Sequence, residues 1–433
     1  MDGTISEIIK FIEENDVKFI RLAFCDLFGV PKNISIMPGE LPRAFETGIS
    51  FDSSAVKGLM DEPDDLFLVP DPGTLAVLPW RPSQGRVVRF FCDIRRADGT
   101  SYEGCSRSVL KRAVARSAEM GYACRFGTEC EFYLFKTDEE GEPTMIPHDR
   151  AGYGDLAPLD RGENVRREIC LTLEEMGLQP ETSHHEQGPG QNEIDFRFSD
   201  ALAAADNLLA FRGVVKAIAA RNGLYASFLP KPFPDRSGSG MHINLSLSRG
   251  GKNIFRTTGQ EHSEASEKFM EGILSRIREI TAFLNPLTNS YSRFGSFEAP
   301  RYVTWSRQNR FQLIRVPAAA GEYSRLELRS PDACCNPYLA FALLIEAGLD
   351  GVAGHTRLRP AHIFDPAKDE RHLERLPDNL EEALHIAQGS DLVHRVLPKS
   401  LSDQYFSLKY QECSAAAIRD TLSFDKEAYF PFY

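Results

Sequence analysis

In the segment Gly127–Phe135, Glu129, Glu131 and Tyr133 alternate with Cys130, Phe132 and Leu134. Three further runs repeat the pattern. Glu193, Asp195 and Arg197 alternate with Ile194, Phe196 and Phe198; His242, Asn244 and Ser246 with Ile243, Leu245 and Leu247; Arg325, Glu327 and Arg329 with Leu326 and Leu328. Successive side chains of a strand point to opposite faces, so each run has one apolar and one polar side. Taken singly, each reads as an ordinary half-solvated antiparallel strand. Together they concentrate carboxylates, an imidazole and arginines where a solvated face carries a mixture of Lys, Thr and Ser. Crowded carboxylates repel unless cations lie between them, and hard divalent ions take oxygen ligands with an occasional imidazole. Arginines on the same face hold phosphate or carboxylate through forked hydrogen bonds. The four runs predict an antiparallel sheet whose polar face holds Mg2+ or Mn2+ and a phosphorylated substrate.

Two more runs fit that site. His184-His185-Glu186 precedes Gly188-Pro189-Gly190, a turn that could drop Glu186 beside the strand of Glu193. A histidine pair alone is more often buried or solvated than liganding. Ser237-Gly238-Ser239-Gly240, just before His242, is a loop whose backbone could approach an anion, although such a loop is equally a simple turn. Neither a G-x-x-x-x-G-K-[ST] nor a G-x-G-x-x-G motif occurs, so ATP would be held by metals and arginines and not by a P-loop or Rossmann turn.

The chain that must position these residues has 433 of them, with 50 Lys and Arg against 62 Asp and Glu, a net charge of −12. That acidity argues against nucleic acid as a partner, and 29 Phe with 13 Tyr exclude a disordered chain. Ile5, Ile8, Ile9 and Ile12 have helical spacing among acids, unlike a signal peptide. No window approaches the ~18 apolar residues of a membrane span. Nine cysteines, odd in number and without a C-x-x-C pair, read as reduced thiols, so a cytoplasmic location is expected.

The first ~95 residues read as a small α+β domain with β-rich runs at Val17–Phe24, Thr74–Leu78 and Val87–Cys92 and a turn at Asp71-Pro72-Gly73. Beyond it, helical spacing marks Ser106–Met120, Asn164–Met176, Ala201–Asn222, Ser263–Leu284 and Asn336–Val352. Residues 369–433 read as charged and helical. They end in Tyr429-Phe430-Pro431-Phe432-Tyr433, an aromatic tail that belongs against a core.

In this order, the strands and the blocks between them closely resemble glutamine synthetases of the bacterial type over nearly the whole chain. The blocks are Gly188-Pro189-Gly190-Gln191-Asn192-Glu193, Lys231-Pro232-Phe233 with the Gly/Ser loop and His242-x-x-x-Ser246, and Asn285-Pro286-Leu287-Thr288-Asn289-Ser290-Tyr291. Asn309-Arg310, Arg329-Ser330-Pro331-Asp332 and Asn336-Pro337-Tyr338-Leu339-Ala340-Phe341 complete them. The resemblance implies an α+β fold, with a β-grasp domain over residues 1–97 and a catalytic domain over 98–433 built on a curved antiparallel sheet flanked by helices. It also implies a homo-oligomer of hexameric rings, usually stacked as a dodecamer, with active sites between subunits.

Carried over residue by residue, the resemblance makes Glu131, Glu186 and Glu193 ligands of a first Mg2+ or Mn2+, and Glu129, His242 and Glu327 ligands of a second. Arg310, Arg315 and Arg325, with Ser246, become ATP contacts; Arg293 and Arg329, with Gly238, hold the amino-acid substrate. Glu298 in Phe297-Glu298-Ala299-Pro300 matches the flap acid that takes a proton from ammonium, with Tyr153 and Asp52 as further ammonium contacts, Asp52 coming from the adjacent subunit. Asp52, Glu298 and Arg310 are the implied catalytic set. The implied reaction joins glutamate and ammonia at the expense of ATP through γ-glutamyl phosphate.

Four departures bear on the pockets. Ala55 stands where the family commonly has a serine, Ser237 where it has an asparagine and Asn244 where it often has a histidine, and the Arg293 to Glu298 spacing is one residue shorter. They leave the metal residues intact and open an alternative, a γ-glutamyl-amine ligase using methylamine, ethanolamine or a polyamine. Asp52, Tyr153 and Glu298 suit a small cation and favour ammonia. A non-catalytic relative would have lost metal ligands, and all six matched residues are present. His372–Pro377 has no tyrosine for adenylylation, and Gly58–Glu62 no arginine for glutamine feedback.

Overall fold

The computed structural model describes residues 3–59, 65–79, 85–255, 263–307, 309–319, 321–354, 356–363 and 372–433. Of the regions read above, residues 60–62 and 369–371 lie outside them. The N-terminal region opens with a helix, Gly3–Glu14, followed by strands β1 (Val17–Cys25), β2 (Pro31–Ile36), β3 (Ile49–Phe51), β4 (Leu66–Pro70), β5 (Ala76–Val77) and β6 (Arg86–Arg96). Their sheet order is β2-β1-β6-β4-β3 with β5 on β6; β1 and β6 run parallel and the other pairs antiparallel. Ile20, Leu22, Leu66, Leu68, Val88 and Phe90 form its fully covered core. The run Thr74–Leu78 yields only the two-residue β5. The Asp71 carboxylate accepts the Gly73 N–H at 3.1 Å and winds Pro72–Thr74 into a single turn instead.

The second region holds β7 (Ala123–Thr137), β8 (Pro143–Pro147), β9 (Pro180–His185), β10 (Gln191–Phe196), β11 (Ser199–Asp200), β12 (Leu224–Ser227), β13 (Met241–Arg249), β14 (Lys252–Asn253), β15 (Trp305–Arg307), β16 (Ile314–Val316) and β17 (Leu326–Leu328). They form one sheet, β15-β16-β17-β13-β7-β10-β9, with β8, β11 and β12 added to β7 and β14 to β13. The four strands that carry the alternating runs are therefore consecutive, and all antiparallel. Among the described residues only the edge pair β15 and β16 is parallel, a departure from the wholly antiparallel sheet that the sequence predicts.

The expected helices form at Ser106–Glu119, Glu163–Glu175, Ala201–Arg221, Glu264–Leu284 and Pro337–Ala353. Their caps explain the boundaries. Ser263 accepts the Ser266 N–H, and Asn336 accepts the Tyr338 N–H with Pro337 in the first turn. The helices cover the apolar side of the sheet: Cys130, Phe132, Ile194, Ile243 and Leu328 are fully covered, and Phe126 stacks on Phe341 at 4.4 Å. The aromatic tail packs as expected. Phe430 lies 5.2 Å from Phe135 and 5.0 Å from Tyr225, and the Tyr433 carbonyl accepts the Phe228 N–H at 2.7 Å. Phe432 alone of the four aromatic rings is exposed. Among the described residues no helix is long and apolar enough to cross a membrane.

Two residues leave the expected polar face. Tyr133 is fully buried, its hydroxyl donating to the Ser237 carbonyl at 2.6 Å. Arg197 is exposed because β10 ends at Phe196.

Candidate active site

Strand register turns four separate sequence runs into one surface. Glu131 lies opposite Glu193, and Glu129 lies opposite both Asp195 on one side and His242 on the other. Asn244 lies opposite Glu327. Directly opposed residues on one face are within side-chain reach, so the carboxylates form a row across β17, β13, β7 and β10.

One half of the row is tightly bonded. His242 Nδ1 is 3.2 Å from Glu129 Oε2 and 3.8 Å from Glu327 Oε1, and ligand atoms of these three residues lie within 4.8 Å of one another. Asn244 donates to Glu129 at 2.9 Å and accepts from Arg325 Nε at 2.8 Å. Glu327, fully covered, accepts from Arg315 at 2.6 Å and pairs closely with Arg329. Burial opposes ionisation of Glu129, yet the His242 hydrogen bond and charge and the Asn244 amide outweigh it, holding its pKa down at about 2.

The other half has crowding in place of pairing. Among the described residues Glu131 receives hydrogen bonds from neutral donors, Gln191 Nε2 at 3.0 Å and the Gly240 N–H at 2.8 Å. Burial raises its pKa against the opposing charge of His242, with the charge of Glu186 adding to the rise. Burial raises Glu193 well above the usual carboxylate range, reinforced by Glu131 and Asp195. Glu186 is held by His184 Nε2 at 3.1 Å and the Gln187 N–H at 2.9 Å. Buried carboxylates in this state, with one imidazole beside them, suit hard divalent cations, so the residues present fit the two ions implied by the sequence. Glu129, His242 and Glu327 already form a closed ligand triple; for the other ion, His184, Glu193 and Asp195 cluster within 4.8 Å, whereas Glu131 and Glu186 stand outside that cluster.

Apart from Glu327, these residues line a cleft of about 700 Å3. Tyr153, Gly238, Arg293, Glu298, Arg310, Arg315, Arg325 and Arg329 line it too, so thirteen of the sixteen sequence-selected residues meet there. Glu327 lies beneath the surface under Arg315 and Arg329. Ser246 lines a second cavity of about 280 Å3, which shares Glu129, Thr182, Asp195 and Arg325 with the first. Asp52 lies outside both, exposed on the N-terminal region, where it caps a turn by accepting from the Ser54 N–H at 3.1 Å and hydroxyl at 2.6 Å.

Arg293, Arg315 and Arg329 each keep a buried Nε–H without a partner, so the cleft has unmet donors for an anion. Arg293 is anchored by the Ser330 and Pro331 carbonyls at 3.0 and 3.3 Å. The Gly/Ser loop exists partly to admit it: a Cβ on Gly238 would meet Arg293 Cγ at 2.6 Å and the Pro230 carbonyl at 2.4 Å. Glu298 reaches Arg329 at 3.6 Å, and the Tyr153 ring meets His184 edge-on at 5.2 Å. Gln191, not singled out from sequence, supports Glu131 and contacts Ser237. Extending the Glu193, Asp195 alternation two residues back would have found it.

The sequence matches the beta-grasp domain family of glutamine synthetase over residues 16–97 and the glutamine synthetase catalytic domain family over residues 103–423. It is 46% identical over 421 residues to a glutamine synthetase of Clostridium saccharobutylicum, covering 94% of this chain and 95% of that one. It is 44% identical over 419 residues to one of Methanosarcina mazei, covering 94% of each. Among solved structures, GmaS in complex with ADP superposes with a TM-score of 0.87 at 29% identity over 97% of this chain and 98% of that one. Plasmodium falciparum glutamine synthetase, at 23% identity, a TM-score of 0.86 and 98% coverage of both chains, shares the fold.

Proposed function

The chain belongs to the glutamine synthetase family, and on that premise we propose that it is an ATP-dependent ligase joining glutamate and ammonia into glutamine. The observation that carries this reading is the row of carboxylates with His242, set across four adjacent strands and facing five arginines in one cleft. Hydrolysis would need the metals; a phosphorylated intermediate also needs the arginines. Bound Mg2+ or Mn2+ would neutralise charge on the phosphoryl group in flight. In this reading Glu131, Glu186 and Glu193 hold one ion and Glu129, His242 and Glu327 the other.

Arg310, Arg315 and Arg325, with Ser246 in the adjoining cavity, hold ATP; the GmaS structure with ADP supports a nucleotide on this fold. Arg293, Arg329 and Gly238 hold glutamate. Its γ-carboxylate attacks the terminal phosphorus and ADP leaves. Glu298 takes a proton from ammonium, the ammonia formed attacks the acyl carbon, and phosphate departs. Tyr153 helps hold the ammonium. Asp52, outside the cleft of its own chain, serves the cleft of an adjacent subunit in a hexameric ring, with two rings making a dodecamer. We divide the chain into domains at residues 97 and 98 and place it in the cytoplasm, where its nine unpaired cysteines stay reduced.

The test is phosphate release from ATP with glutamate, Mg2+ or Mn2+, and ammonium, methylamine, ethanolamine or putrescine. Saturation by ammonium supports the reading. Preference for an organic amine replaces it with the γ-glutamyl-amine ligase and places the change near Ala55 and Glu298. Glu298→Ala is expected to lose amide synthesis while retaining ATP turnover; full synthesis in that variant removes Glu298 from the mechanism.

A further inference from the structure

The turn that carries Glu298 has an unusual backbone. Phe297 has φ +50°, in the left-handed region that bulky residues rarely occupy. The turn is tight: the Arg293 carbonyl accepts the Ser296 N–H at 3.1 Å, the Ser296 carbonyl accepts the Ala299 N–H at 3.0 Å, and the Ala299 carbonyl accepts the Gly295 N–H at 3.0 Å. Burial of the ring does not hold it there, because Phe297 is 47% exposed. What meets the ring is an ammonium: Lys231 Nζ lies 4.7 Å from its centroid.

Lys231 is itself fixed. Only 6% of it is exposed, and its ammonium donates to the Arg236 carbonyl at 2.5 Å. Asn289 clasps its backbone from both sides, accepting the Lys231 N–H at 2.6 Å and donating to the Lys231 carbonyl at 3.0 Å; Asn289 is in turn bonded to Asp425 at 2.6 Å. A desolvated ammonium over an aromatic face is the setting in which cation–π attraction is strongest. The Phe297 backbone angle sets the direction in which Glu298 leaves the turn.

We propose that Lys231 is a positioning residue for Glu298: its ammonium holds Phe297, and with it the 293–299 turn, in the strained conformation that aims Glu298 into the cleft. The inference rests on Glu298 being the proton acceptor of the proposed reaction. When Glu298 is out of place, ammonium keeps its proton and water competes for the acyl phosphate. Water then adds to the acyl carbon, the bond from that carbon to the phosphate oxygen breaks, and phosphate and glutamate are released. Phosphate formed per glutamine formed therefore reports the position of Glu298.

The test measures that ratio, with KM for ammonium and for ATP, in the parent, Lys231→Met, Lys231→Arg, Phe297→Leu and Glu298→Ala. Loss of a desolvated cation–π contact predicts a roughly tenfold rise in ammonium KM and an about threefold higher ratio in Lys231→Met and Phe297→Leu, with ATP KM within about twofold. Lys231→Arg keeps the cation and is expected to restore the parent ratio. Phe297 lies at the surface, so its variant remains informative should Lys231→Met fold poorly. If Glu298→Ala uncouples while Phe297→Leu and Lys231→Met stay coupled with the parent ammonium KM, the inference is overturned and the role of Glu298 stands. If the parent forms no glutamine, or Glu298→Ala remains coupled, the role of Glu298 falls and the inference with it.

Discussion

Arg107 is a buried charge and Glu131 a partly buried one, and their surroundings differ in kind. Arg107, 3% exposed, donates to Asp206 at 3.0 and 2.8 Å, to Asp93 at 2.7 Å and to Asp71 at 2.9 Å. Lys111 adds a contact to Asp93 at 2.5 Å, and the Tyr338 hydroxyl donates to Asp206 at 2.5 Å. Every charge there has an opposite, and the network ties the N-terminal sheet to the helices beneath the catalytic sheet. Around Glu131, by contrast, carboxylates crowd against carboxylates, and Glu131 itself accepts from neutral donors, Gln191 and the Gly240 N–H, with imidazoles at the margins. A protein that buries charge for structure pairs it. One that buries like charges together leaves room for a cation to complete the set, at some expense in stability.

Substitution breaks this comparison most strongly at the paired cluster. Arg107→Met leaves Asp206, Asp93 and Asp71 with one lysine among them, and loss of one partner from a buried ion network costs roughly 3–5 kcal/mol. The expected outcome is a large fall in the urea midpoint with kcat per folded molecule nearly unchanged. An unaltered midpoint would show that the network is not a structural clamp. Next in size comes Glu193→Gln, which removes one member of the crowded row. On the proposed role of Glu193 as a metal ligand, its loss is expected to lower glutamine synthesis roughly 10²–10³-fold, since metal ions supply several kcal/mol of charge stabilisation. Yet the metal-free protein should melt no lower than the parent, because a repulsion has gone. Calorimetry without metal checks this, and a drop as large as that of Arg107→Met would erase the distinction between the two clusters.

The helices were legible almost to the residue. Ser106–Met120 read from sequence is Ser106–Glu119 in the structure, because apolar spacing and capping residues are both local signals. The polar face was legible for a similar reason: strand alternation has a period of two, and Glu129, Glu131, Glu193, His242 and Glu327 all fall on the predicted face. Their neighbourhood was not, since β17 pairs with β13 and β13 with β7 across long stretches of chain that no local pattern encodes. Tyr133 was misplaced because alternation reports a face and not its depth: the Ser237 carbonyl closes over that end of the strand. The contact of Lys231 with Phe297 joins two loops and has no periodicity at all.

Asp425 is the intermediate case and gives the smallest expected effect. It is 5% exposed; one oxygen accepts from Asn289 at 2.6 Å and the other has no partner. Burial, only partly offset by Asn289 and slightly reinforced by Asp420, pushes its pKa up to about 6. As pH rises, the unfolded chain therefore loses this proton before the folded chain does, and the folded state is progressively disfavoured until the pH passes about 6. Asn at this position keeps an acceptor for Asn289 and never ionises. Asp425→Asn is thus expected to gain melting temperature relative to the parent as the pH goes from 5 to 8, by roughly 2 °C for each ~1 kcal/mol recovered. Thermal melts at both values decide it: a difference that does not change with pH would mean that Asn289 alone satisfies the ionised carboxylate, and that neither burial nor the charge of Asp420 carries a cost here.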